Sequence, residues 1–103
     1  MQVVFFLNRL REGVMPEQYE QWVREVDYPK ARALATINSY VVNRIDGTLE
    51  GAMAPYHYIE RVEVTDLTSY QEELRAGEGM EEFFQQWSAH VGESIAVHGE
   101  EIV

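Results

Sequence analysis

Four side chains stand out for the proton chemistry they could perform: His57, Glu60, His90 and Tyr28. Glu60 falls in the β-branched and aromatic run His57 to Val64, where a period of two sets it on the face of Tyr58, Val62 and Val64. A carboxylate on an apolar face is costly unless paired or protonated, so burial should raise its pKa into the range useful for acid or base work. A structural ion pair with Arg44 or Arg9, or a water-filled gap at a dimer interface, would explain it equally well. His57 opens the same run beside Pro55-Tyr56, where an imidazole can act as a general base or simply sit half-exposed at a strand end. His57 and Glu60 have opposite parity, so a dyad between them would need a bulge near Tyr58. His90 follows Trp87 by three and Phe83 by seven, at the edge of an apolar stripe. It points into a cavity between helix and sheet, or rests there as a core-edge histidine. His98, beside Gly99-Glu100-Glu101, reads as solvent-exposed.

Asp27-Tyr28-Pro29 falls at an expected helix break. Asp27 either caps the following turn or aims its carboxylate at a pocket mouth, and Tyr28 either packs or offers its hydroxyl there. Arg44 and Arg32 could hold a substrate carboxylate bidentately, with surface ion pairing the alternative. Tyr19, Trp22, Tyr40, Tyr58, Phe84 and Trp87 supply rings that either fill a core or wall a cavity for a flat substrate. A metal site from His57, His90 and Glu60 lacks any close ligand spacing. Dinucleotide, P-loop, nucleophile-elbow and zincin motifs are absent, so the expectation is chemistry without cofactor or metal.

The elements that must position these groups follow from local pattern. Val3 to Leu10 reads as a strand. Pro16 suits a first helical turn, and Tyr19, Trp22, Val23 and Val26 then share one stripe until Pro29 interrupts the helix near Tyr28. A short second piece would run through Leu34. Ile37 to Ile45 and His57 to Val64 are the next strands, joined by a loop containing Gly47, Gly51 and Pro55. Asp66 is the expected N-cap of a helix bearing Leu67, Tyr70 and Leu74. After Gly77 and Gly79, a second stripe (Met80, Phe83, Phe84, Trp87, Val91) runs to Gly92, and Ser94 to Val97 or beyond is the last strand.

This β-α-β-β-α-β order is the split-βαβ pattern of an α+β, ferredoxin-like fold, with helices on one face of an antiparallel sheet. The first strand is apolar on both faces, Val3, Phe5 and Leu7 against Val4 and Phe6, and helices can cover only one. The bare face is an association site, so two sheets packed together as a homodimeric α/β barrel are expected.

The chain has 103 residues, enough for a single domain over 1–103, and 46% of them are hydrophobic, enough for a core. Its 8 basic and 18 acidic side chains leave a net charge of −10, which argues against nucleic acid and anionic membranes as partners. No run approaches the ~20 apolar residues of a membrane span. The Val3-to-Leu7 run lacks the flanks of a signal peptide, and with no cysteine a cytoplasmic setting is expected.

Val4-Phe5-Phe6-Leu7-Asn8-Arg9-Leu10, Tyr19-Glu20-x-Trp22, Asp27-Tyr28-Pro29-x-Ala31-Arg32, Ser39-Tyr40 and His57-Tyr58-Ile59-Glu60 occur in this order and spacing. Together they resemble the RedY-like (HapK) family of the dimeric α/β-barrel superfamily. The resemblance implies a cytoplasmic homodimer from bacterial secondary-metabolite pathways, including those of prodiginine pigments and bis-indole alkaloids. It further implies a cofactor-independent enzyme acting on a planar indolic or pyrrolic intermediate by cyclisation, hydrolysis or condensation. The chemistry of the residues themselves, rather than the resemblance, suggests His57 as the base, Glu60 as the acid or orienter, His90 and Tyr28 as secondary donors, and Trp22, Phe84 and Trp87 as holders of the rings. A cofactor-free monooxygenase of the same superfamily, and a non-catalytic accessory protein that shields a reactive intermediate, are the alternatives.

Overall fold

In a computed structural model describing all 103 residues, four strands form one antiparallel sheet in the order β2-β3-β1-β4. They are β1 (Gln2–Leu10), β2 (Ile37–Arg44), β3 (Tyr58–Val64) and β4 (Val91–Glu100). The central pair β1 and β3 is thus the first and third strand, as the split pattern requires. Strand β3 alternates strictly: Tyr58, Glu60, Val62 and Val64 are buried and the residues between them half-buried. Register carries this alternation across the sheet. Val4 faces Val62, Phe6 faces Glu60, and Tyr40 also faces Val62, all on the side that the helices cover.

The first helical segment departs from expectation. Pro29 does not break it; the rod runs from Pro16 to Arg32 as α1 (Pro16–Trp22), a π turn (Val23–Asp27) and α2 (Tyr28–Arg32). The Tyr28 N–H reaches back to the Val23 carbonyl, one residue further than in an α-helix. The wider turn gives the Pro29 ring room where an α-helical carbonyl would clash, and there the proline's missing N–H costs least. The same winding turns Asp27 inward.

Helix α3 (Leu67–Ala76) starts where expected, the Asp66 carboxylate accepting the Ser69 N–H at 2.9 Å. Helix α4 (Met80–His90) follows Gly79, whose φ of 75° suits a residue without Cβ. Its end was misplaced by the sequence pattern: the helix stops at His90, and Gly92 lies inside β4 rather than terminating α4. At Gly92 the register slips against Arg9 and Leu10, and a Cβ would stand 3.3 Å from the Arg11 Cα. Glycine serves that close approach.

Two apolar clusters lie between sheet and helices. One centres on Val4, Ala31, Tyr40, Val62, Val64 and Tyr70, the other on Tyr19, Trp22, Val23, Tyr58 and Val91. The opposite face of the sheet has no cover. Register groups Phe5, Leu7, Ile59, Val41, Ile95 and Val97 there, the last three 41–45% exposed. No helix is long and apolar enough to cross a membrane.

Candidate functional site

Between the sheet and helices α2, α3 and α4 lies a cavity of about 290 Å³, with twelve hydrophobic residues among its fifteen. Phe6, Tyr70, Phe83, Phe84 and Trp87 supply aromatic rings to its wall. Leu74 and Phe84 also line an open groove outside.

Its polar patch is Asp27, Tyr40 and Glu60. Asp27 is 2% and Glu60 4% exposed. The Tyr40 hydroxyl lies 2.6 Å from Asp27 Oδ2 and 2.5 Å from Glu60 Oε1. On its other oxygen Glu60 accepts from Asn8 Nδ2, and Asn8 is fixed in that orientation by Ser94 Oγ–H donating to its Oδ1 at 2.6 Å. Burial, and then the neighbouring Asp27, raise the Glu60 pKa to about 7, while hydrogen bonds from Tyr40, Asn8 and Trp87 oppose the shift. Burial raises Asp27 to about 6 against the Tyr40 hydrogen bond and the Arg32 charge. Burial also pushes the Tyr40 hydroxyl well above its ordinary range, so it stays neutral. The arrangement is therefore a proton-exchanging group, poised near neutrality, in a hollow whose remaining lining is apolar except for Lys30.

Of the residues singled out by sequence, Asp27, Tyr40, Glu60, Phe84 and Trp87 meet at this cavity. Asp27 caps no turn; its backbone is helical and its side chain bonds Tyr40. His57 is elsewhere. It is exposed at the mouth of β3, its Nδ1 accepting the Leu10 N–H at 2.9 Å, and no bulge in β3 brings it to the face of Glu60. His90 stacks on Trp22 at 5.3 Å, with Nδ1 2.8 Å from the Gln86 carbonyl, and does not line the cavity. Tyr28 is tied to the free edge of β2, accepting the Val42 N–H at 3.0 Å and donating to the Val42 carbonyl at 3.3 Å. Arg32 extends this closure to the Tyr40 carbonyl at 3.0 Å.

Tyr19, Trp22 and Tyr58 belong to the adjoining core, where Trp22 donates to Gln86 and Tyr58 to Glu20. Arg44 pairs with Glu20 and Asp46 at the surface, and His98 is exposed on β4. No three His, Asp or Glu side chains gather closely enough to hold a metal ion. Sequence reasoning missed Asn8, although it carries the signal that marked Glu60. It is a polar residue in phase with buried Val4 and half-buried Phe6.

Four antiparallel strands under one helical layer, enclosing a carboxyl cluster in an aromatic cavity, define an α+β ferredoxin-like domain. Residues 2–102 match the family described as REDY-like protein HapK, and the chain belongs to that family. HapK from Hahella chejuensis is similar at 27% identity and a TM-score of 0.78, over 99% of this chain and 93% of that one. At3g17210 from Arabidopsis thaliana shares the fold at 13% identity and a TM-score of 0.80, over 100% of this chain and 97% of the other. So does a dimeric ferredoxin-like protein from Thermobifida fusca, at 15% identity and 0.71, over 95% and 88%. No curated protein matches significantly.

Proposed function

We propose that this protein is a cofactor-independent enzyme of secondary-metabolite biosynthesis. It would use general acid–base catalysis for a cyclisation, hydrolysis or condensation of a planar indolic or pyrrolic intermediate. The observation that carries the reading is the buried Asp27–Tyr40–Glu60 cluster, its two carboxyls raised to about 6 and about 7, in the wall of a largely apolar cavity that holds five further aromatic rings. A flat substrate gains offset stacking against Phe83, Phe84 and Trp87, while Glu60 and Asp27 give and take protons at its edge. A positioned acid or base of this kind contributes roughly 10²–10⁴-fold, enough to steer a reactive imine or enamine between outcomes. His57, His90 and Tyr28 each stand apart from this cavity with a partner of their own, so this reading assigns the proton transfer to Glu60 and Asp27.

Two copies pack sheet to sheet in this reading. The apolar open face of Phe5, Leu7, Ile59, Ile95 and Val97 supports it, and the similar Thermobifida fusca protein is described as dimeric. The absence of cysteine fits a cytoplasmic setting.

The test is incubation with candidate bis-indole or bipyrrole intermediates, aerobically and anaerobically, with products read by mass spectrometry. Glu60→Gln and Asp27→Asn should each lower turnover tenfold or more; full turnover in both removes this site. Oxygen consumption would instead favour the monooxygenase reading. Saturable quenching of Trp87 fluorescence without turnover would favour the accessory role.

A further inference from the structure

Tyr40 has one hydroxyl proton and two carboxyl neighbours. At 2.6 Å from Asp27 Oδ2 and 2.5 Å from Glu60 Oε1, both contacts are hydrogen-bond distances between oxygens, yet the hydroxyl can donate to only one of them. The other must be a carboxylic acid O–H donating to the Tyr40 oxygen, because a carboxylate has nothing to donate. On the far side of Glu60, Asn8 Nδ2, oriented by Ser94, donates to Glu60 Oε2, so a proton there would add nothing to the two contacts of the Tyr40 oxygen. The count of donors and acceptors therefore closes only with a single extra proton on the Tyr40 side. It sits on Glu60 with Tyr40 donating to Asp27, or on Asp27 with Tyr40 donating to Glu60. The two forms exchange by a concerted shift of two protons through the Tyr40 oxygen.

We propose that Asp27, Tyr40 and Glu60 act as one acid–base unit that shares a single carboxyl proton and presents it to a flat nitrogen base in the cavity. This rests on the proposed function and deepens it, making the Tyr40 hydroxyl the bridge through which Asp27 and Glu60 share one proton. In the transfer an O–H bond of the unit breaks and an N–H bond to the ligand forms. The unit passes from one negative charge to two while the neutral base becomes a cation, so the net charge of the complex is unchanged and the new ions face each other in an apolar hollow. Of the side chains facing the unit, Asn8 comes from β1, Tyr19 from α1, Arg32 and Lys30 from α2, Tyr70 from α3 and Trp87 from α4. The two cations are engaged elsewhere, Lys30 Nζ with the Glu78 carbonyl at 2.6 Å and Arg32 with the Tyr40 carbonyl. Neither is bonded to a carboxylate of the unit.

Both Glu60→Gln and Asp27→Asn should fold, because each amide can donate to the Tyr40 oxygen as the protonated carboxyl does. Infrared spectra near neutral pH, with carbon-13 labelled glutamate to separate the two residue types, read the proton directly. One protonated-carboxyl band is expected in the unaltered protein, lost in each single variant even though each keeps one carboxyl. A band that survives in Asp27→Asn would mean that Glu60 holds its proton alone and would overturn the sharing, as would no band in the unaltered protein. Acridine, uncharged when free at neutral pH, then tests the donation. Its absorption should become that of the cation with the unaltered protein and stay neutral with both variants; a neutral spectrum throughout overturns transfer to a base. Neither readout depends on turnover, so a shared proton in a protein inactive on every intermediate would separate this inference from the proposed function.

Discussion

Glu60 and Asp27 set the pH behaviour of the folded chain as well as its chemistry. Both carboxyls hold protons more tightly folded than unfolded, chiefly because burial disfavours their charge. From the ordinary carboxylate range up to about 7, the folded state therefore binds more protons than the unfolded state. The sign follows: their contribution is fully present below the unfolded pKa, and stability falls as pH rises through about 6 and about 7. The slope is at most about 1.4 kcal/mol per pH unit for each proton involved. Glu60→Gln keeps the neutral form's hydrogen bonds, so it should flatten this decline and stabilise the protein at pH 8 by roughly 1–3 kcal/mol, read from urea midpoints. The same variant should be a poor catalyst. A stability curve for Glu60→Gln that tracks the unaltered protein across pH 5–8 would show that Glu60 is ionised throughout.

At the scale of elements, the rod from Pro16 to Arg32 does two jobs through one irregularity. Its π turn aims Asp27 at Tyr40, and the residues just after it close the free edge of β2. Exposed strand edges invite pairing with other chains, and here the Tyr28 hydroxyl occupies both Val42 backbone groups while the Arg32 guanidinium stacks 3.8 Å from the Tyr28 ring. Tyr28→Phe removes that cap and leaves the Val42 N–H and carbonyl to water. A loss of about 0.5–1.5 kcal/mol is expected, measured by denaturant unfolding, together with faster aggregation on heating. Unchanged stability and solubility would show that the edge is protected by other means. At the other end of the sheet, Gly92→Ala should destabilise the chain, because its Cβ would press on the Arg11 backbone and Cγ at 3.2–3.3 Å.

For the whole molecule, the uncovered sheet face sets the expectation. Ile95 and Val97 lie on the same side of the outer strand β4, register-paired with Leu7 and Phe5 on the uncovered face. Placing a charge there, as in Ile95→Glu, should convert a dimer of two 103-residue chains to a monomer in light scattering, with the far-ultraviolet spectrum retained. A monomer before substitution would remove the sheet-to-sheet packing.

The order and type of elements were legible from the chain alone, because periods of two and of 3.6 are local properties of the backbone. Glu60 was legible for the same reason: its polar side chain is in phase with buried neighbours. The Asp27–Tyr40–Glu60 cluster was not, since its members come from a helix and two strands and meet only when the helix lies across the sheet. Pro29 looked like a stop signal because local rules do not anticipate a π turn, which packing selects. His57 and Glu60, three positions apart, were separated by the strand's pleat, whereas Asp27 and Glu60, thirty-three positions apart, were joined. Tertiary packing alone decided which carboxyl would share a hydroxyl with which.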